Sequence, residues 1–369
     1  MKRIPWVITV VAVGVVVVAL VCLIGLGQFG LTAEDKPDKP KDTTKLLKEI
    51  TPEIQKAIEK GVEWLLSAQN TDGSWGHDIK TPPEIGITSV VCMAFMANGT
   101  TPKGTYPSKV LEPFKKGIHY IIKFVRERRA MFEEPSVLEG EVGRTIHFYL
   151  TSLFLSQVQG EDILTEGEHE SIREIIKKIN LRIDIEQDKE GFWHDQNLFL
   201  SSATAWLALR SAHAAGLAIH HASVDKTVQY LKKVYSPATG NFGEQSYRPS
   251  VVLGSALRVL YGYGLADSDE AKGAAATLLK IGFKENNQEV SLGAEHYLAA
   301  AYATQAFRHR EDDKNWEEWY SYVSKYLVKI QNADGSWTGS RCISARTFCT
   351  ACAILTLLTP YRVLPMLEF

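Results

Sequence analysis

The stretch Gln69-Asn70-Thr71-Asp72-Gly73-Ser74-Trp75 returns near the other end of the chain as Gln331-Asn332-Ala333-Asp334-Gly335-Ser336-Trp337. Six of the seven positions are identical, which predicts a repeated structural unit. The Asp-Gly pair is typical of a tight turn, and it follows an amphipathic helical pattern. The tryptophan adds a large apolar ring with one N–H donor, suited to fixing the turn on neighbouring helices. We interpret the motif as structural. Its central residues are Gln69, Asp72, Gly73, Trp75, Gln331, Asp334, Gly335 and Trp337.

The composition is that of a globular protein with a large core. The 369 residues are 45% hydrophobic and 23% charged, with a net charge of −2. Because there is no basic excess, a nucleic-acid partner is not expected. Five cysteines are too few for a disulfide scaffold at this length. Buried free thiols are expected, and a disulfide from Cys92 to Cys349 or Cys352 is the alternative.

The N-terminal segment has the pattern of a membrane anchor. Lys2 and Arg3 precede an uncharged apolar run over residues 4–26, and a helix of that length spans the roughly 30 Å core of a bilayer. We predict an uncleaved signal anchor over residues 1–31, with a cleaved signal peptide as the alternative. Residues 32–50 are rich in Lys, Asp and Pro and are expected to form a solvated linker. The following domain is then expected to be extracytoplasmic, in a bacterial periplasm.

From residue 51 onward the hydrophobic pattern is helical. Twelve helices are predicted, over residues 52–68, 86–98, 108–132, 141–158, 166–185, 199–215, 222–235, 248–264, 267–283, 291–309, 313–331 and 344–358. The odd-numbered helices are amphipathic, whereas the even-numbered ones are nearly uncharged and rich in small residues. Because a helix that is apolar all round is buried on all sides, two concentric layers are expected. We predict an all-α fold, an α/α toroid of six helical hairpins over residues 51–369.

Weaker copies of the turn motif support this layered arrangement. Gly191-Phe192-Trp193-His194-Asp195 follows the fifth predicted helix, and Gly240-Asn241-Phe242-Gly243 follows the seventh. Each copy therefore comes where the chain passes from an outer helix to an inner helix. Six such crossings predict a ring that closes on itself.

The motif copies also resemble those of a known superfamily. "SAQNTDGSWG" and "KIQNADGSWT" are similar to the Gln-Trp repeats of squalene and oxidosqualene cyclases and of protein prenyltransferase β-subunits. The resemblance covers about residues 51–369 and is nearest to the single-toroid bacterial proteins with prenyltransferase and squalene oxidase repeats. It implies an α/α toroid that binds an isoprenoid- or lipid-like apolar ligand in a central cavity.

The catalytic motifs of that superfamily are missing or altered in this sequence. Its cyclases protonate an alkene with Asp-x-Asp-Asp. The nearest match, Asp267-Ser268-Asp269-Glu270, lies where an outer helix begins, and acids are favoured there by the helix dipole. Its prenyltransferases bind zinc through Asp-x-Cys and a later His. Cys349 matches, but Thr347 replaces the aspartate and His296 precedes the cysteine. No cofactor is therefore predicted, zinc is kept as the alternative, and enzymatic activity is left open.

Polar residues near the beginnings of the inner helices are the candidates for a ligand site, because they are expected to face the mouth of a central cavity. Arg144 and Arg346 are predicted to bind an anion or polar head group. His147, Glu295 and His296 are weaker candidates for an acid or base. Trp206 is predicted to contact the ligand. A salt-bridged core network that includes the charged members is the alternative.

Two functions of different classes fit these patterns. The first is a membrane-anchored, terpenoid cyclase- or prenyltransferase-like toroid that binds an isoprenoid- or lipid-like ligand. If it is an enzyme, it also transforms this ligand. The alternative is a non-catalytic scaffold that binds a protein or envelope partner. A carbohydrate-active toroid would need paired carboxylates in an open cleft, and Glu295 is the one acid predicted early on an inner helix.

Overall fold

The structure is a computed structural model that describes residues 49–99, 108–128, 131–140, 142–195, 197–243, 248–285, 288–309, 314–340, 345–361 and 364. These residues belong to one compact unit, Leu46–Phe369. The predicted anchor and nearly all of the predicted linker lie outside the described residues and stay predictions. No helix in the described ranges is both long enough and apolar enough to span a bilayer.

Twelve α-helices follow one another along the described residues. They are α1 (Pro52–Ser67), α2 (Ile85–Ala97), α3 (Ser108–Glu127), α4 (Ile146–Val158), α5 (Glu166–Glu186), α6 (Leu198–Ala214), α7 (His221–Val234), α8 (Pro249–Gly262), α9 (Asp269–Ile281), α10 (Ala294–Arg308), α11 (Lys314–Ile330) and α12 (Arg346–Leu358). Two short antiparallel hairpins follow α7 and α9: β1 (Tyr235–Ser236) with β2 (Asn241–Phe242), and β3 (Lys284–Glu285) with β4 (Gln288–Glu289). The predicted all-α class is confirmed.

The largest errors in the predicted helix boundaries lie between α3 and α4. Helix α3 ends at Glu127, and α4 begins only at Ile146. The chain between them forms a 3₁₀ turn at Met131–Glu133 and further turns, because Pro135 and Gly140 interrupt the helical pattern. Arg144 therefore precedes α4, although it was predicted to lie on it.

The even-numbered helices form a closed inner ring. Each of α2, α4, α6, α8, α10 and α12 packs against the next, and α12 packs against α2. Every residue of α4 and of α10 is buried, as their patterns of mainly apolar and small residues predict. Small residues allow the close packing: a Cβ added at Gly254 in α8 would lie 2.6 Å from the carbonyl oxygen of Ala299 in α10.

The odd-numbered helices form the outer layer. Each packs against the inner helix that precedes it around the ring, and α1 packs against α12. In α1, Ile54, Ile58 and Leu65 are buried, whereas Glu59 and Lys60 are exposed. One apolar stripe thus faces the inner ring and the charged face meets solvent. The two concentric layers and the toroid are confirmed.

Three copies of the turn motif fasten an outer helix to the next inner helix. Trp75, Trp193 and Trp337 are buried, and each indole N–H donates to a carbonyl of the preceding outer helix at 2.7–2.8 Å. The backbone N–H of each tryptophan donates to a hydroxyl of the next inner helix at 2.9–3.0 Å. The carbonyls belong to Leu65, Ile183 and Leu327, and the hydroxyls to Thr88, Ser202 and Thr350.

The glutamine of each copy links its turn to another outer helix. The side-chain amide donates both to the carbonyl of the motif glycine and to a backbone carbonyl of that helix. The bonds between helices are Gln69 to Pro113 in α3 (2.8 Å), Gln187 to Ser223 in α7 (2.8 Å) and Gln331 to Ala57 in α1 (2.9 Å). The last of these joins the final outer helix to the first and so closes the outer layer.

Glycine and aspartate give the turn its shape. Gly73 and Gly335 have φ angles of +90° and +93°, which other residues rarely adopt. A Cβ added at Gly335 would also lie only 2.7 Å from the carbonyl oxygen of Lys60 in α1. Asp72 and Asp334 each accept hydrogen bonds from the backbone N–H and the hydroxyl of the serine two residues later, at 2.6–3.0 Å. The motif residues therefore shape a turn that contacts a neighbouring outer helix.

We expect Gln331→Ala to lower the free energy of unfolding by about 1–3 kcal/mol, because the partly buried carbonyls of Ala57 and Gly335 would lose their donor. Urea unfolding of the full chain measures the change. The matched control is Gln55→Ala: the Gln55 amide bonds to Glu59 on the exposed face of α1, and its loss should change stability by less than about 0.5 kcal/mol. Equally small effects of both substitutions would contradict the closing role.

Candidate functional site at the mouth of the inner ring

The six inner helices begin at the same end of the ring, which we call the mouth. Residues at the beginnings of neighbouring inner helices meet there in pairs: Gly86 with His147, Gly143 with Ser201, Asn197 with Arg248, Arg248 with Glu295, and His77 with Thr347. The inner helices are therefore parallel, and the positive ends of their dipoles gather at the mouth. Negative charge is favoured near such helix ends.

A buried carboxyl group lies at the mouth, directly before α2. The Oε2 atom of Glu84 accepts a hydrogen bond from the backbone N–H of Ile87 at 2.6 Å, and its Oε1 atom accepts one from the hydroxyl of Ser136 at 2.9 Å. Burial raises the pKa of Glu84 to about 7, although these hydrogen bonds act in the opposite direction. Near neutral pH a large fraction of Glu84 is therefore a protonated acid.

The backbone and Cβ of His147 lie close to this acid. A Cβ added at Gly86 would lie 2.6 Å from the Cα of His147 and 3.2 Å from Oε2 of Glu84. The imidazole packs on the ring of Phe148, with 3.9 Å between centroids. Burial lowers the pKa of His147 to about 3, and the backbone of Arg144 acts in the opposite direction. A protonated carboxyl group can give a proton, and a neutral imidazole can accept one.

The candidates Glu295 and His296 belong to a buried ion-pair cluster. The Oε1 atom of Glu295 lies 3.0 Å from Arg248 and 3.2 Å from Nδ1 of His296. The backbone N–H of Gly293 donates to the same nitrogen at 3.2 Å. The Glu295 side chain is fully buried, so its charge needs such partners. This geometry matches the salt-bridged network that was the alternative interpretation of these residues.

Arg346 is engaged in the last turn motif. Its guanidinium pairs with Asp334 and lies 3.4 Å from Asp78, and it donates to the hydroxyl of Ser336 at 3.0 Å. The same group lies over the ring of Trp64, 5.0 Å from its centroid. Arg346 therefore ties the turn before α12 to the loop before α2.

Arg144 occupies a different environment. It lines a pocket of about 240 Å³ that we call the interlayer pocket, because its walls come from the inner helix α4, the outer helix α5 and the segments beside them. The lining residues are Phe132, Arg144, Thr145, Tyr149, Arg182, Glu186, Trp193 and His194. The two arginines predicted to act together thus belong to separate clusters, and the second arginine beside Arg144 is Arg182.

Trp206 lies between two inner helices. Its indole is fully buried, and a Cβ added at Gly262 in α8 would lie 2.9 Å from it. Its Nε1 atom has no hydrogen-bond acceptor among the described residues. Nearby, the hydroxyl groups of Thr204 in α6 and Tyr302 in α10 are 2.9 Å apart. Because α8 lies between α6 and α10 in the ring, this hydrogen bond crosses the inside of the ring.

Several site residues could not be found from the pattern of inner helices. Glu84 stands before α2, and the Pro82-Pro83-Glu84 sequence at the start of an apolar helix is the signal that identifies it as a capping acid. Arg182 and Glu186 lie on an outer helix that is rich in charge throughout, so nothing distinguishes them in the sequence. In the described part of the chain, no three His, Cys, Asp or Glu residues are grouped as metal ligands. Cys92, Cys349 and Cys352 are buried free thiols.

No protein-family model and no curated protein matches the chain. Solved structures do match. The type II terpene cyclase MstE from Scytonema has 14% identity and a TM-score of 0.54, with 85% of this chain and 100% of that chain covered. The GH76A α-1,6-mannanase from Salegentibacter sp. HEL1_6 has 10% identity and a TM-score of 0.59, with 84% and 99% covered. This chain has an α/α toroid fold.

A third matching structure is a complex of one of these proteins with its ligand. A variant of MstE in complex with its substrate, geranylgeranyl dihydroxybenzoate, matches with 13% identity and a TM-score of 0.53, with 87% of this chain and 99% of that chain covered. At such low identity these likenesses show the fold of the chain, and its chemistry has to be argued from its own residues.

We expect Glu84→Gln to remove part of the pH dependence of stability. The pKa of Glu84 is raised from 4.5 to about 7 by folding, so its contribution to stability is fully present below pH 4.5 and is lost as the pH rises through about 7. Glutamine stays neutral. The stability of the variant relative to the natural protein should therefore rise between pH 5 and 8, on the order of 2 kcal/mol.

Urea unfolding across this pH range is the measurement. His147 acts in the opposite direction, because its folded pKa of about 3 lies below the ordinary 6.5, so the difference between variant and natural protein is the quantity that reports on Glu84. Glu63→Gln is the control, since the Glu63 side chain is 66% exposed, and its difference should not change with pH. A pH-independent difference for Glu84→Gln would show that burial does not disfavour the charged form of this carboxyl group.

We expect the two predicted arginines to behave differently in unfolding experiments. Arg346→Gln should cost about 1–3 kcal/mol, because it removes charge-assisted hydrogen bonds to Asp334 and Ser336. Arg144→Gln should cost less than about 0.5 kcal/mol, since the Arg144 side chain is 80% exposed. Thermal or urea unfolding of both variants measures this, and equal costs would contradict the different roles described for the two residues.

Proposed function

We propose that the toroid binds an isoprenoid- or lipid-like apolar ligand at the mouth and inside the ring of inner helices. The observation that carries this proposal is the inner ring itself, which is apolar on nearly every face. The fold it belongs to is shared with a cyclase that was solved with a geranylgeranyl substrate. An apolar concave surface with a few polar groups at one end suits a ligand that has a long apolar part and a polar end.

The side chains inside the ring set a depth for such a ligand. Thr204 is the seventh residue of α6, so its hydrogen bond with Tyr302 lies about 10 Å from the mouth. On the side of the ring between α6 and α10, an apolar chain would meet this contact. The ligand proposed here therefore extends from the mouth to about this level, with its polar end near Glu84 and His147.

If the bound ligand is also transformed, Glu84 is the acid that this chain offers. A carboxyl group that is protonated near neutral pH and buried beside apolar helices can donate a proton to an apolar substrate. His147 is neutral under the same conditions, and it is the candidate base for this reaction. The assignment of Glu84 as an acid takes the place of the weaker candidates Glu295 and His296, which are held in an ion pair.

A carbohydrate ligand is the second candidate function. The structural likeness to an α-1,6-mannanase favours it, and so does the presence of two buried carboxyl groups at the mouth, Glu84 and Glu295. Glycoside hydrolysis needs two carboxyl groups facing one substrate bond. Glu295 instead pairs with Arg248, which leaves Glu84 alone in that role and places this candidate behind the first.

The membrane anchor over residues 1–31 and an extracytoplasmic position for the toroid are kept as part of the proposal. They rest on the apolar run over residues 4–26. An anchored toroid would take its ligand from a lipid-rich environment. A non-catalytic scaffold for a protein or envelope partner is the alternative, and it is favoured if the ring proves empty.

The first test is to purify the full chain in mild detergent, extract bound small molecules and identify them by mass spectrometry, with metal analysis of the same sample. A co-purified polyprenoid supports the proposal. A ring that is empty and metal-free, and that binds neither isoprenols nor α-1,6-mannotetraose, would contradict both candidate ligand classes. The non-catalytic scaffold would then be the remaining function.

The second test uses the depth set by Tyr302. We expect Tyr302→Ala to improve binding of geranylgeraniol relative to geraniol at least tenfold, because removing the crossing side chain lets more methylene-sized groups be buried, each worth about 0.8 kcal/mol. Equilibrium binding of both alcohols to the full chain measures the ratio. Tyr320→Ala is the matched control, because Tyr320 is a buried tyrosine of the outer helix α11 whose hydroxyl is also hydrogen-bonded, in this case to the carbonyl of Leu357. The same chain-length ratio in all three proteins would contradict binding inside the ring.

A further inference from the structure

The interlayer pocket has a carboxylate, Glu186, each of whose oxygens already accepts a hydrogen bond. One oxygen of Glu186 accepts from Nε of Arg182 at 2.6 Å, and the other accepts from the hydroxyl of Tyr149 at 2.9 Å. Tyr149 is almost fully buried, and its oxygen accepts in turn from the hydroxyl of Thr145 at 2.9 Å. The negative charge of Glu186 is therefore offset by Arg182 and held in place by a buried phenol.

The donors of the same pocket are largely unused. The side chain of Arg144 makes no hydrogen bond to a described residue, and the acid it pairs with is Glu139 at 3.9 Å, with side chains 80% and 44% exposed. An exposed pair at such a distance contributes little, so another anion can replace it. Arg182 uses Nε for Glu186, while its terminal nitrogens donate to nothing in the described ranges. The remaining hydrogen-bonding capacity of the pocket is thus mainly that of donors.

The beginning of α4 adds to this positive character. Thr145 stands at the N-cap position but makes no capping hydrogen bond, because its hydroxyl donates to Tyr149. By contrast, the side chains of Glu84 and Ser268 cap α2 and α9. An N-terminus without a side-chain cap has unsatisfied N–H groups and the positive end of the helix dipole. This feature supports the arginines, which carry the argument together with the cavity.

We propose that the interlayer pocket binds a small anion, either a free phosphate or the phosphate or carboxylate group of a larger molecule, between the guanidinium groups of Arg144 and Arg182. A planar guanidinium group can donate two parallel hydrogen bonds to two oxygens of either a carboxylate or a phosphate. The volume of about 240 Å³ is below the range of about 300–1,000 Å³ that is usual for drug-sized ligands. The site lies between the layers, outside the ring interior, so anion binding can be measured whether or not the ring holds a ligand.

The test is calorimetric titration of the full chain with inorganic phosphate and, separately, with benzoate, at neutral pH and constant ionic strength. We expect saturable binding of one anion per chain. Arg144→Gln and Arg182→Gln should each weaken it at least tenfold, since a hydrogen bond to a charged group contributes about 1.5–3 kcal/mol. Arg173→Gln is the matched control, because Arg173 also lies on α5 and pairs with Glu166 at 2.8 Å outside the pocket. It should leave the affinity unchanged.

The two anions distinguish the sources of the ligand. Tighter binding of phosphate points to a phosphate group, and tighter binding of benzoate points to a carboxylate beside the aromatic ring of Phe132. Absence of saturable binding by either anion overturns the proposal, and so does an equal loss of affinity in Arg173→Gln, which would indicate attraction by overall charge. Circular dichroism of each variant separates loss of binding from loss of the fold. Arg182→Lys is a further substitution that keeps the positive charge.

Discussion

The hydrogen bond from the side chain of Gln331 to the carbonyl of Ala57 joins the two ends of the toroid. One such bond contributes only about 1 kcal/mol, yet it fixes where α11 meets α1. Helix α1 packs against α12, the last inner helix, so the apolar stripe of the first helix is buried only when the ring is closed. The core of this fold is therefore shared between the two ends of the chain, and its closure has to be cooperative.

Closure also determines the chemistry of the mouth. Because every hairpin enters the ring in the same direction, all six inner helices present their N-termini at one end, and acids are drawn there by the dipoles. The apolar packing of the same helices removes water and makes charge costly. The two acids at the mouth meet this conflict differently. Glu295 keeps a cationic partner in Arg248, whereas for Glu84 the pKa rises to about 7.

The fold was predictable because its information is local. The Asp-Gly turn, the tryptophan that follows it and the helical periodicity all act within a few residues, and their repetition predicts a ring. The site depends on contacts between distant segments. Ser136 contacts Glu84 because the chain between α3 and α4 is not helical. Arg346 forms an ion pair with Asp334 of the preceding turn. Neither contact follows from periodicity. Arg346 was therefore predicted as a site residue without its partners, and Glu84 was not predicted at all.

Helix α4 belongs to both sites at once. The backbone of His147 packs against Gly86 at the mouth, and Tyr149, two residues later, lies in the interlayer pocket. Gly86 leaves no free space between α2 and α4, since even a Cβ there would come within 2.6 Å of the α4 backbone. Helices in such close contact move together or not at all. An anion that drew the beginning of α4 towards α5 would therefore change the space around Glu84. The free-energy cost of ionising that carboxyl group would change with it. Anion binding in the interlayer pocket would then alter the mouth through the packing of a single helix.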